Sequence, residues 1–539
     1  MKKIVLVSLL LSAVALTSCS YINYFSSSTE TSSAEPEPSS SSKPSVIINS
    51  TYENYVKNSV YYESAIPTST PSNKYLVLPV WFQDSNDLIN DGETKASILQ
   101  KVSTAFSGTT EQTGWQSVKT YYETESLGKK TFDFVIADWY DCAFDSVDVA
   151  GSQDDSTVYE NTETLIYDTI NNYFKNHPEE NRKDYDSDGD GYLDAVAIIY
   201  GAQNYNSEFP YKQYYQSKFH KRVSDLSNFW AYVYWFQNPD YQNVNYPGPN
   251  AYLWASYDFA NVSSKNDSSY PVKVDAHAYI HETGHLFGLD DYYDYTGDNR
   301  PAGSFSMQDY NVGAHDPYSV LALGWGDIIV PEQTETITLK PFADTRQVIL
   351  LSNNYQDSIF DEYLLLELYT PTGLNELDCT YDYHSSSSTS PRGPNAVGIR
   401  LWHVDARLAY KEARGESVPY SDSRITNQID TQYYYNMLCR NNTYVPGKAS
   451  DYFSPLAGRY NYAEYKLLQL IRQGDYGKFR NRVALEEQDL FTAGDSFDMS
   501  TYTRWFVERG KLNTGKSLGW SFTVDAVTSE NATITVTKL

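Results

Sequence analysis

The feature that most constrains this chain is the segment from residue 281 to residue 294, which reads His-Glu-Thr-Gly-His-Leu-Phe-Gly-Leu-Asp-Asp-Tyr-Tyr-Asp. His281 and His285 are four positions apart, so on a helix both imidazoles project from one face and reach one tetrahedral metal. Glu282 lies beside that metal without ligating it, where a carboxylate takes a proton from a metal-activated water and passes it to a leaving amine. The pattern therefore predicts a zinc site that hydrolyses peptide bonds.

A third ligand is expected from the turn that follows this helix. Gly288 stands where a residue of positive φ can end the helix, and the turned chain brings Asp291 back toward the metal six residues after His285. The pattern H-E-x-x-H-x-x-G-x-x-D has Asp where metzincins carry His, and zinc tolerates this because it also binds oxygen. Asp290 and Asp294 are alternatives for the same role, and we favour Asp291.

A structural interpretation of the same residues is the alternative to a metal site. Two histidines can be satisfied core residues on an ordinary helix, and His277, one turn before His281, is a further candidate ligand. Since the chain has only eight His, a chance H-E-x-x-H is expected in about one chain in a hundred of this length. The metal site is therefore the favoured interpretation.

The segment Gly303–Tyr310 (GSFSMQDY) is similar to the Met-turn of metzincins, in which a Met side chain forms an apolar floor beneath the metal. Met307 is one of only four Met in the chain. Tyr310 and Tyr318 are both candidates for stabilising an oxyanion, and the sequence does not choose between them.

Four stretches of the chain resemble one known family. They are residues 301–325 (PAGSFSMQDYNVGAHDPYSVLALGW), 75–84 (YLVLPVWFQD), 117–129 (SVKTYYETESLGK) and 398–405 (GIRLWHVD). These stretches are similar to the immune inhibitor A family of secreted bacterial zinc metallopeptidases, and the similarity covers most of residues 72–539. The resemblance implies a zinc endopeptidase in which His281, His285 and Asp291 bind zinc and Glu282 acts as the base.

The fold class predicted for the chain is α+β. Before the motif, apolar strands such as residues 75–82 and 195–200 alternate with amphipathic helices such as residues 161–177. We therefore predict a zincin, metzincin-like catalytic domain at residues 72–330, with an α/β N-terminal subdomain.

Strand patterns dominate the rest of the chain. Residues 520–527 and 532–538 alternate polar and apolar side chains, as the strands of a sandwich do. A β-rich, sandwich-like accessory domain is predicted at residues 331–539. His403 lies on one of its strands, and we interpret it as a packed core residue.

The start of the chain has the pattern of a lipoprotein leader. Two Lys precede an apolar run, which ends in Leu-Thr-Ser-Cys19 as a lipobox does. We predict a signal peptide at residues 1–18 and a lipid anchor on Cys19, with plain secretion as the alternative. Residues 19–71 are assigned to a Ser/Pro/Glu-rich tether, of which residues 20 to about 50 are predicted to be solvated, and residues 45–72 are the place for a possible inhibitory pro-segment. The protein would then lie at the extracellular face of a bacterial envelope, lipid-anchored or released.

A loop before the motif has the spacing of a calcium site. Its ligands are predicted to be the carboxylates of Asp186, Asp188, Asp190 and Asp194 and the carbonyl of Tyr192. Ala197 stands where an EF-hand has Glu, so the loop is at most dockerin-like. A polar Asp/Gly turn is the alternative, but four carboxylates so close together repel one another unless a cation lies among them.

The net charge and the cysteine content limit which molecules the protein is expected to bind and whether disulfide bonds are expected. The net charge of −28, from 41 basic and 69 acidic residues, argues against nucleic acid because phosphates would be repelled. Cys142, Cys379 and Cys439 are too few for a disulfide framework, although one bridge could form. The expected partners are therefore protein or peptide substrates, and the expected state is a monomer.

The competing functional hypothesis is a catalytically silent binding or adhesion lipoprotein built on a metallopeptidase scaffold. The presence of Glu282 argues against it, because a scaffold without catalysis has no use for a base at that position. A structural zinc would also prefer four protein ligands, and the motif supplies three.

Overall fold

The computed structural model describes residues 51–60, 66–151, 156–205, 211–220, 226–236, 241–295, 299–385, 389–414, 416, 422–439, 465–474 and 482–539. The predicted signal peptide, Cys19 and residues 20–50 of the predicted tether lie outside this part of the chain. Within it, no helix is long and apolar enough to cross a membrane. The described residues form a mixed structure of helices and several sheets, which agrees with the α+β class.

Helices are concentrated in the first two thirds of the chain and strands in the last third. The α-helices of the described residues are α1 (Tyr52–Lys57), α2 (Lys95–Ser107), α3 (Thr110–Thr113), α4 (Val118–Glu125), α5 (Ser156–Asn176), α6 (Tyr211–Phe219), α7 (His277–Leu286), α8 (Met307–Tyr310), α9 (Pro317–Ala322), α10 (Phe342–Thr345) and α11 (Glu376–Thr380). The strands are β1 (Ser72–Trp81), β2 (Thr131–Ile136), β3 (Tyr140–Asp141), β4 (Val196–Tyr200), β5 (Tyr232–Trp235), β6 (Ala251–Ser256), β7 (Asp327–Ile329), β8 (Glu335–Leu339), β9 (Gln347–Leu351), β10 (Glu362–Tyr369), β11 (Tyr383–His384), β12 (Thr389–Ser390), β13 (Gly398–Asp405), β14 (Leu408–Lys411), β15 (Ile425–Thr426), β16 (Tyr434–Met437), β17 (Leu468–Ile471), β18 (Ser496–Asp498), β19 (Trp520–Val527) and β20 (Ala532–Lys538).

The first sheet has the strand order β2-β1-β4-β6-β5, and β3 also pairs with β1. All its pairs are parallel except β5 with β6, which is antiparallel. Strand β1 is apolar on both faces, as expected for a parallel strand covered by helices on each side. Tyr75 and Val77 pack in the cluster that contains α2, α4 and α7, whereas Leu76 and Leu78 pack with α5.

The β-rich part contains two larger sheets. One has the order β17-β13-β10-β9-β7 and the other the order β18-β19-β20-β8. Side chains of both sheets, such as Leu366 of β10 and Val536 of β20, belong to one apolar cluster. The opposite face of the first of these sheets, with Leu365 and Trp402, belongs to the cluster that contains α7. The β-rich part and the helix that carries the motif therefore contribute to one apolar cluster.

The predicted domain boundary at residue 330 falls inside this arrangement. Strand β7, Asp327–Ile329, precedes the boundary but pairs in parallel with β9 of the β-rich part. Across the same junction, the buried Arg346 donates to the backbone carbonyls of Thr124 and Glu125 and to the Glu125 carboxylate. The two parts thus share a core and a buried ion pair.

The described end of the predicted tether is a packed part of the fold. Tyr52, Tyr55 and Val56 of α1 are buried, and the Tyr52 hydroxyl donates to the Gly288 carbonyl at 2.6 Å. The Tyr435 amide of β16 donates to the Asn58 carbonyl at 2.7 Å. Residues 51–60, which follow the stretch predicted to be solvated, are therefore packed against the rest of the fold through their apolar side chains.

The three cysteines of the described residues, Cys142, Cys379 and Cys439, are all buried free thiols. Burial raises the pKa of Cys142 and of Cys379 to about 11, so neither thiol is ionised near neutral pH. The one bridge that the sequence left open is therefore not formed among these three residues.

Candidate metal centre

The helix that carries the motif ends as the sequence predicts. Helix α7 runs from His277 to Leu286, and Gly288 has φ +92°. The Gly288 amide donates to the His285 carbonyl and the Leu289 amide to the Gly284 carbonyl, which is a Schellman termination. A side chain at residue 288 would be strained at this φ, so the chain reverses here because the residue is Gly.

The reversed chain brings three side chains together. Nε2 of His281 and Nε2 of His285 lie 3.1 Å apart, and Oδ1 of Asp291 lies 3.0 Å and 3.2 Å from them. These three residues form a group of the kind that could hold a metal ion. All three side chains are largely buried, and His285 is the most exposed at 13%.

The remaining ring nitrogens determine which atoms face the centre of this group. Nδ1 of His281 lies 2.7 Å from the Met307 carbonyl, and Nδ1 of His285 lies 2.7 Å from the Leu289 carbonyl. A carbonyl only accepts hydrogen bonds, so both Nδ1 atoms carry the proton. In the neutral imidazoles both Nε2 atoms then present lone pairs toward Asp291, and three acceptors converge on one point.

A convergence of three acceptors requires a positive charge between them, either a proton or a metal ion. In a tetrahedral zinc site with ligands at about 2.0–2.1 Å, the ligand atoms are about 3.3–3.4 Å apart, close to the spacing found here. Two imidazoles and one carboxylate are also a donor set that zinc accepts. The residues present therefore fit a zinc ion, with a fourth position left for water or substrate.

The Asp291 carboxylate favours the charged form of His285. Burial lowers the pKa of His285, but the Asp291 carboxylate outweighs burial and raises that pKa to about 10. Burial likewise raises the pKa of Asp291, but His285 and His281 hold it well below its ordinary value. A metal ion at this group would therefore compete with protons for the same side chains.

Glu282 lies next to the group on α7 and is buried. Its Oε2 has no hydrogen-bond partner among the described residues. Burial raises the pKa of Glu282 above its ordinary value, and the electrostatic effect of the nearby His285 and His281 opposes this shift. A buried carboxylate without a partner on one oxygen, within the described part of the chain, therefore lies beside the three grouped side chains.

The other acidic residues of the loop are not part of the group. Asp290 is half-buried and does not belong to it, and Asp294 accepts a hydrogen bond from Asn299 at 2.8 Å. Of the three candidates for third ligand, the structure brings Asp291 to the histidines.

His277 has partners of its own. Its Nδ1 lies 2.8 Å from Oδ1 of Asp275, and its ring is stacked between Trp115 and Tyr383 at 4.2 Å from each. Burial lowers the pKa of His277, but Asp275 and Asp378 outweigh burial and raise it. His277 is therefore a buried residue at the start of α7 with Asp275 as its partner.

The predicted Met-turn contributes a backbone contact. Met307 is fully buried at the start of α8, and its carbonyl accepts the hydrogen bond from Nδ1 of His281. The Gln308 carbonyl accepts from the Tyr292 amide at 2.7 Å, which ties the loop of Asp291 to this turn. The turn thus orients one histidine and fixes the position of the third side chain.

The two tyrosines considered for an oxyanion differ in exposure. Tyr318 is fully buried, and its hydroxyl is 3.6 Å from the sulfur of Met437. Tyr310 is half-buried, and the Arg300 guanidinium lies 4.2 Å from the centre of its ring. Tyr318 is therefore inaccessible to solvent, whereas Tyr310 is partly exposed.

Tyrosine hydroxyls anchor α7 to its neighbours. Tyr122 of α4 donates to the Ile280 carbonyl at 2.8 Å, and Tyr279 donates to the Ser256 carbonyl at the end of β6 at 2.8 Å. The hydroxyls of Tyr75 and Thr283 lie 3.1 Å apart and join β1 to the same helix. These contacts hold the helix against both the first sheet and α4, so the two histidines are carried by a rigid element.

The predicted calcium loop is only partly assembled. The carboxylates of Asp186, Asp188 and Asp194 offer oxygen atoms within 4.8 Å of one another. Asp190 does not belong to this group, and its Oδ1 accepts from the Tyr192 amide at 2.9 Å. Burial raises the pKa of Asp194 to about 7, and a nearby cation would favour its charged form.

One cation near this loop comes from the chain itself. Nζ of Lys57 lies 2.7 Å from Oδ2 of Asp188 and 2.9 Å from Glu53. Burial lowers the pKa of Lys57, but Asp188 and Glu53 outweigh burial and raise it. The repulsion between carboxylates that favoured calcium in the sequence is thus partly offset by a lysine of α1.

Two contacts, one with Asp291 and one with helix α7, could not be predicted from the sequence. The Tyr295 hydroxyl donates to Oδ2 of Asp291 at 2.6 Å. Gln308 packs against α7 at Gly284, where an added Cβ would lie 2.2 Å from Oε1 of Gln308. Both contacts depend on the fold of the loops after α7, so spacing alone could not have identified them.

His403 is the buried strand residue that the sequence predicts. It is 3% exposed, and its Nε2 lies 2.9 Å from Oε1 of Glu362 on the neighbouring strand β10.

Two comparisons with known proteins were made. A scan against models of protein families finds no match for this chain, and a search of curated proteins finds none either. The geometry of the centre therefore carries the functional argument.

Proposed function

We propose that this protein is a zinc-dependent endopeptidase of the zincin class that hydrolyses peptide bonds of extracellular proteins. His281, His285 and Asp291 bind the zinc, and Glu282 is the general base. The similarity to the immune inhibitor A family and the lipid anchor on Cys19, which places the enzyme at the outer face of a bacterial envelope, belong to the same proposal.

The observation that carries the proposal is the convergence of three buried acceptors beside an unpaired carboxylate oxygen. Nε2 of His281, Nε2 of His285 and Oδ1 of Asp291 lie 3.0–3.2 Å apart, and Oε2 of Glu282 is buried nearby on the same helix. Three acceptors that converge on one point repel one another unless a positive charge lies between them, and the buried Oε2 of Glu282 costs free energy unless function or a ligand compensates for it. A metal ion and a water molecule would compensate for both groups at once.

When bound, Zn²⁺ supplies a Lewis acid that polarises a peptide carbonyl and lowers the pKa of water toward neutrality. Glu282 accepts a proton from the attacking water and returns it to the nitrogen of the leaving amine as the C–N bond breaks. His281 and His285 keep their Nδ1 protons on backbone carbonyls, so neither ring is free to rotate. The histidines thus hold their rings in a fixed orientation, and Glu282 carries the proton.

The test of this function is hydrolysis of casein by purified residues 20–539, before and after removal of metal with a chelator. We expect cleavage to disappear with the metal and to return when about one zinc per chain is restored, as for a mononuclear site. Cleavage that persists without metal would contradict the proposal. Stoichiometric zinc binding without any cleavage would instead favour the binding or adhesion protein.

A calcium ion at Asp186, Asp188 and Asp194 is a further part of the proposal. Hard oxygen donors are the ligands that Ca²⁺ prefers, and the three carboxylates already lie close together. At a Ca²⁺ concentration of 100 times Kd, binding is expected to raise the free energy of unfolding by about 2.7 kcal/mol.

The calcium proposal is tested by thermal melting with Ca²⁺ and with a calcium-selective chelator. The variant Asp188→Asn should lose most of the calcium-induced shift. Its control, Asp267→Asn, changes an exposed aspartate and should keep the full shift. Because Asp188 also pairs with Lys57, the shift is compared and not the absolute melting temperature. No calcium-induced shift in the wild type would exclude the site.

A further inference from the structure

Tyr295 contacts the third side chain of the candidate metal centre from the side opposite the histidines. Its hydroxyl donates to Oδ2 of Asp291 at 2.6 Å. Oδ1 of the same carboxylate lies 3.0 Å from Nε2 of His281 and 3.2 Å from Nε2 of His285. The two oxygens of Asp291 thus have different partners, and since an ionised carboxylate only accepts, the phenol is the donor.

We propose that Tyr295 is a positioning residue that holds Asp291 as a ligand through one oxygen only. This inference rests on the proposed zinc site. The hydrogen bond fixes the rotation of the carboxylate group, occupies Oδ2 and presents Oδ1 to the point where the two Nε2 atoms converge. Without the hydroxyl, Asp291 could turn and offer both oxygens or neither.

Ring contacts fix the position of the hydroxyl. The rings of Tyr295 and Tyr293 are 5.0 Å apart in an edge arrangement, and those of Tyr293 and Tyr310 are 6.2 Å apart. Tyr310 ends α8, the short helix whose first residue, Met307, accepts the hydrogen bond from Nδ1 of His281. A row of tyrosines therefore joins the loop of Asp291 to the turn that orients His281.

The size of the expected effect follows from the role of such partners. Groups that hydrogen-bond to metal ligands typically change metal affinity by 10–100-fold when they are removed. The variant Tyr295→Phe removes only the hydroxyl and keeps the ring, so we expect the zinc Kd to rise by about this factor. Folding of the metal-free protein should change little, since a single hydrogen bond contributes about 1 kcal/mol.

The experiment measures the zinc Kd of residues 20–539 by competition with a chromogenic chelator, for the wild type and Tyr295→Phe. Tyr214→Phe is the matched control, because the Tyr214 hydroxyl donates to Oδ2 of Asp84 at 2.8 Å, away from the metal group. Its zinc Kd should equal that of the wild type. The visible spectrum of the Co²⁺-loaded proteins is recorded as well, because it reports coordination geometry, which a merely structural tyrosine would not change.

The outcomes separate this inference from the proposed function. A weaker zinc Kd and an altered Co²⁺ spectrum in Tyr295→Phe alone support the role of Tyr295. If the wild type binds zinc and cleaves casein but Tyr295→Phe has the same zinc Kd as the wild type, only the role of Tyr295 is overturned. Failure of the wild type to bind zinc overturns both. Failure of metal-free Tyr295→Phe to fold also overturns it, because a role confined to the metal ligand leaves the metal-free fold intact.

Discussion

Replacing Glu282 by Gln is expected to lower kcat for hydrolysis of a casein peptide by about 10²–10⁴-fold, the usual contribution of a general base. Gln has nearly the shape of Glu but cannot accept a proton from the attacking water. Since Glu282 is not one of the three grouped ligands, the variant should keep the zinc content of the wild type. Loss of turnover and retention of metal are therefore expected together.

This prediction is checked by initial rates and by metal analysis on the same protein samples. Glu111→Gln, at an exposed glutamate of α3, is the control for loss of one negative charge and should turn over normally. A Glu282→Gln variant that cleaves at the wild-type rate would show that another group acts as the base. A variant that has also lost its zinc would show that Glu282 is a ligand.

Replacing His285 by Ala is expected to abolish the stabilisation that zinc gives to the fold. At a zinc concentration of 1,000 times Kd, binding should add about 4 kcal/mol to the free energy of unfolding of the wild type. With one of three ligands removed, His285→Ala should bind zinc too weakly to show a shift. The same variant should be inactive toward casein.

Denaturant unfolding with and without zinc measures this effect. His177→Ala, at a histidine whose side chain is 43% exposed, is the control for loss of one imidazole and should keep the zinc-dependent gain. The zinc-dependent difference is compared, because the removal of His285 also leaves the buried Asp291 with one partner fewer. An equal gain in both variants would place the zinc elsewhere in the chain.

Local patterns predicted the central helix and its termination well. The spacing of His281 and His285 and the position of Gly288 involve residues within one helix and one turn, so their geometry follows from helix periodicity and from the φ that Gly permits. Asp291 was also favoured from the sequence, because the Schellman termination leaves few directions for the chain that follows. These features required no knowledge of distant residues.

Features that depend on distant residues were missed. Lys57 reaches Asp188 from a segment more than a hundred positions earlier, and nothing in the acidic loop itself signals a lysine partner. The segment containing Tyr52 and Val56 was assigned to a tether by the composition of its neighbours, although its apolar side chains are buried against Gly288. Such contacts are fixed by tertiary packing, which a local pattern does not contain.

In the β-rich part as well, local features were predicted from the sequence and long-range features were not. Alternating side chains predicted individual strands such as Trp520–Val527, because one face of each strand packs in a core. The pairing of β7 with β9 and the packing of Trp402 against the cluster of α7 were not predicted, since strand order depends on partners far apart in the chain. Through this pairing and this cluster, the residues on both sides of the predicted boundary share one core.

The most direct test of the central claim is to locate zinc by anomalous X-ray diffraction at the zinc absorption edge, in crystals of the zinc-loaded protein. We predict one peak within about 2.0–2.2 Å of Nε2 of His281, Nε2 of His285 and Oδ1 of Asp291. A peak elsewhere in the chain, or no peak in protein that contains stoichiometric zinc, would contradict the assignment of these three residues.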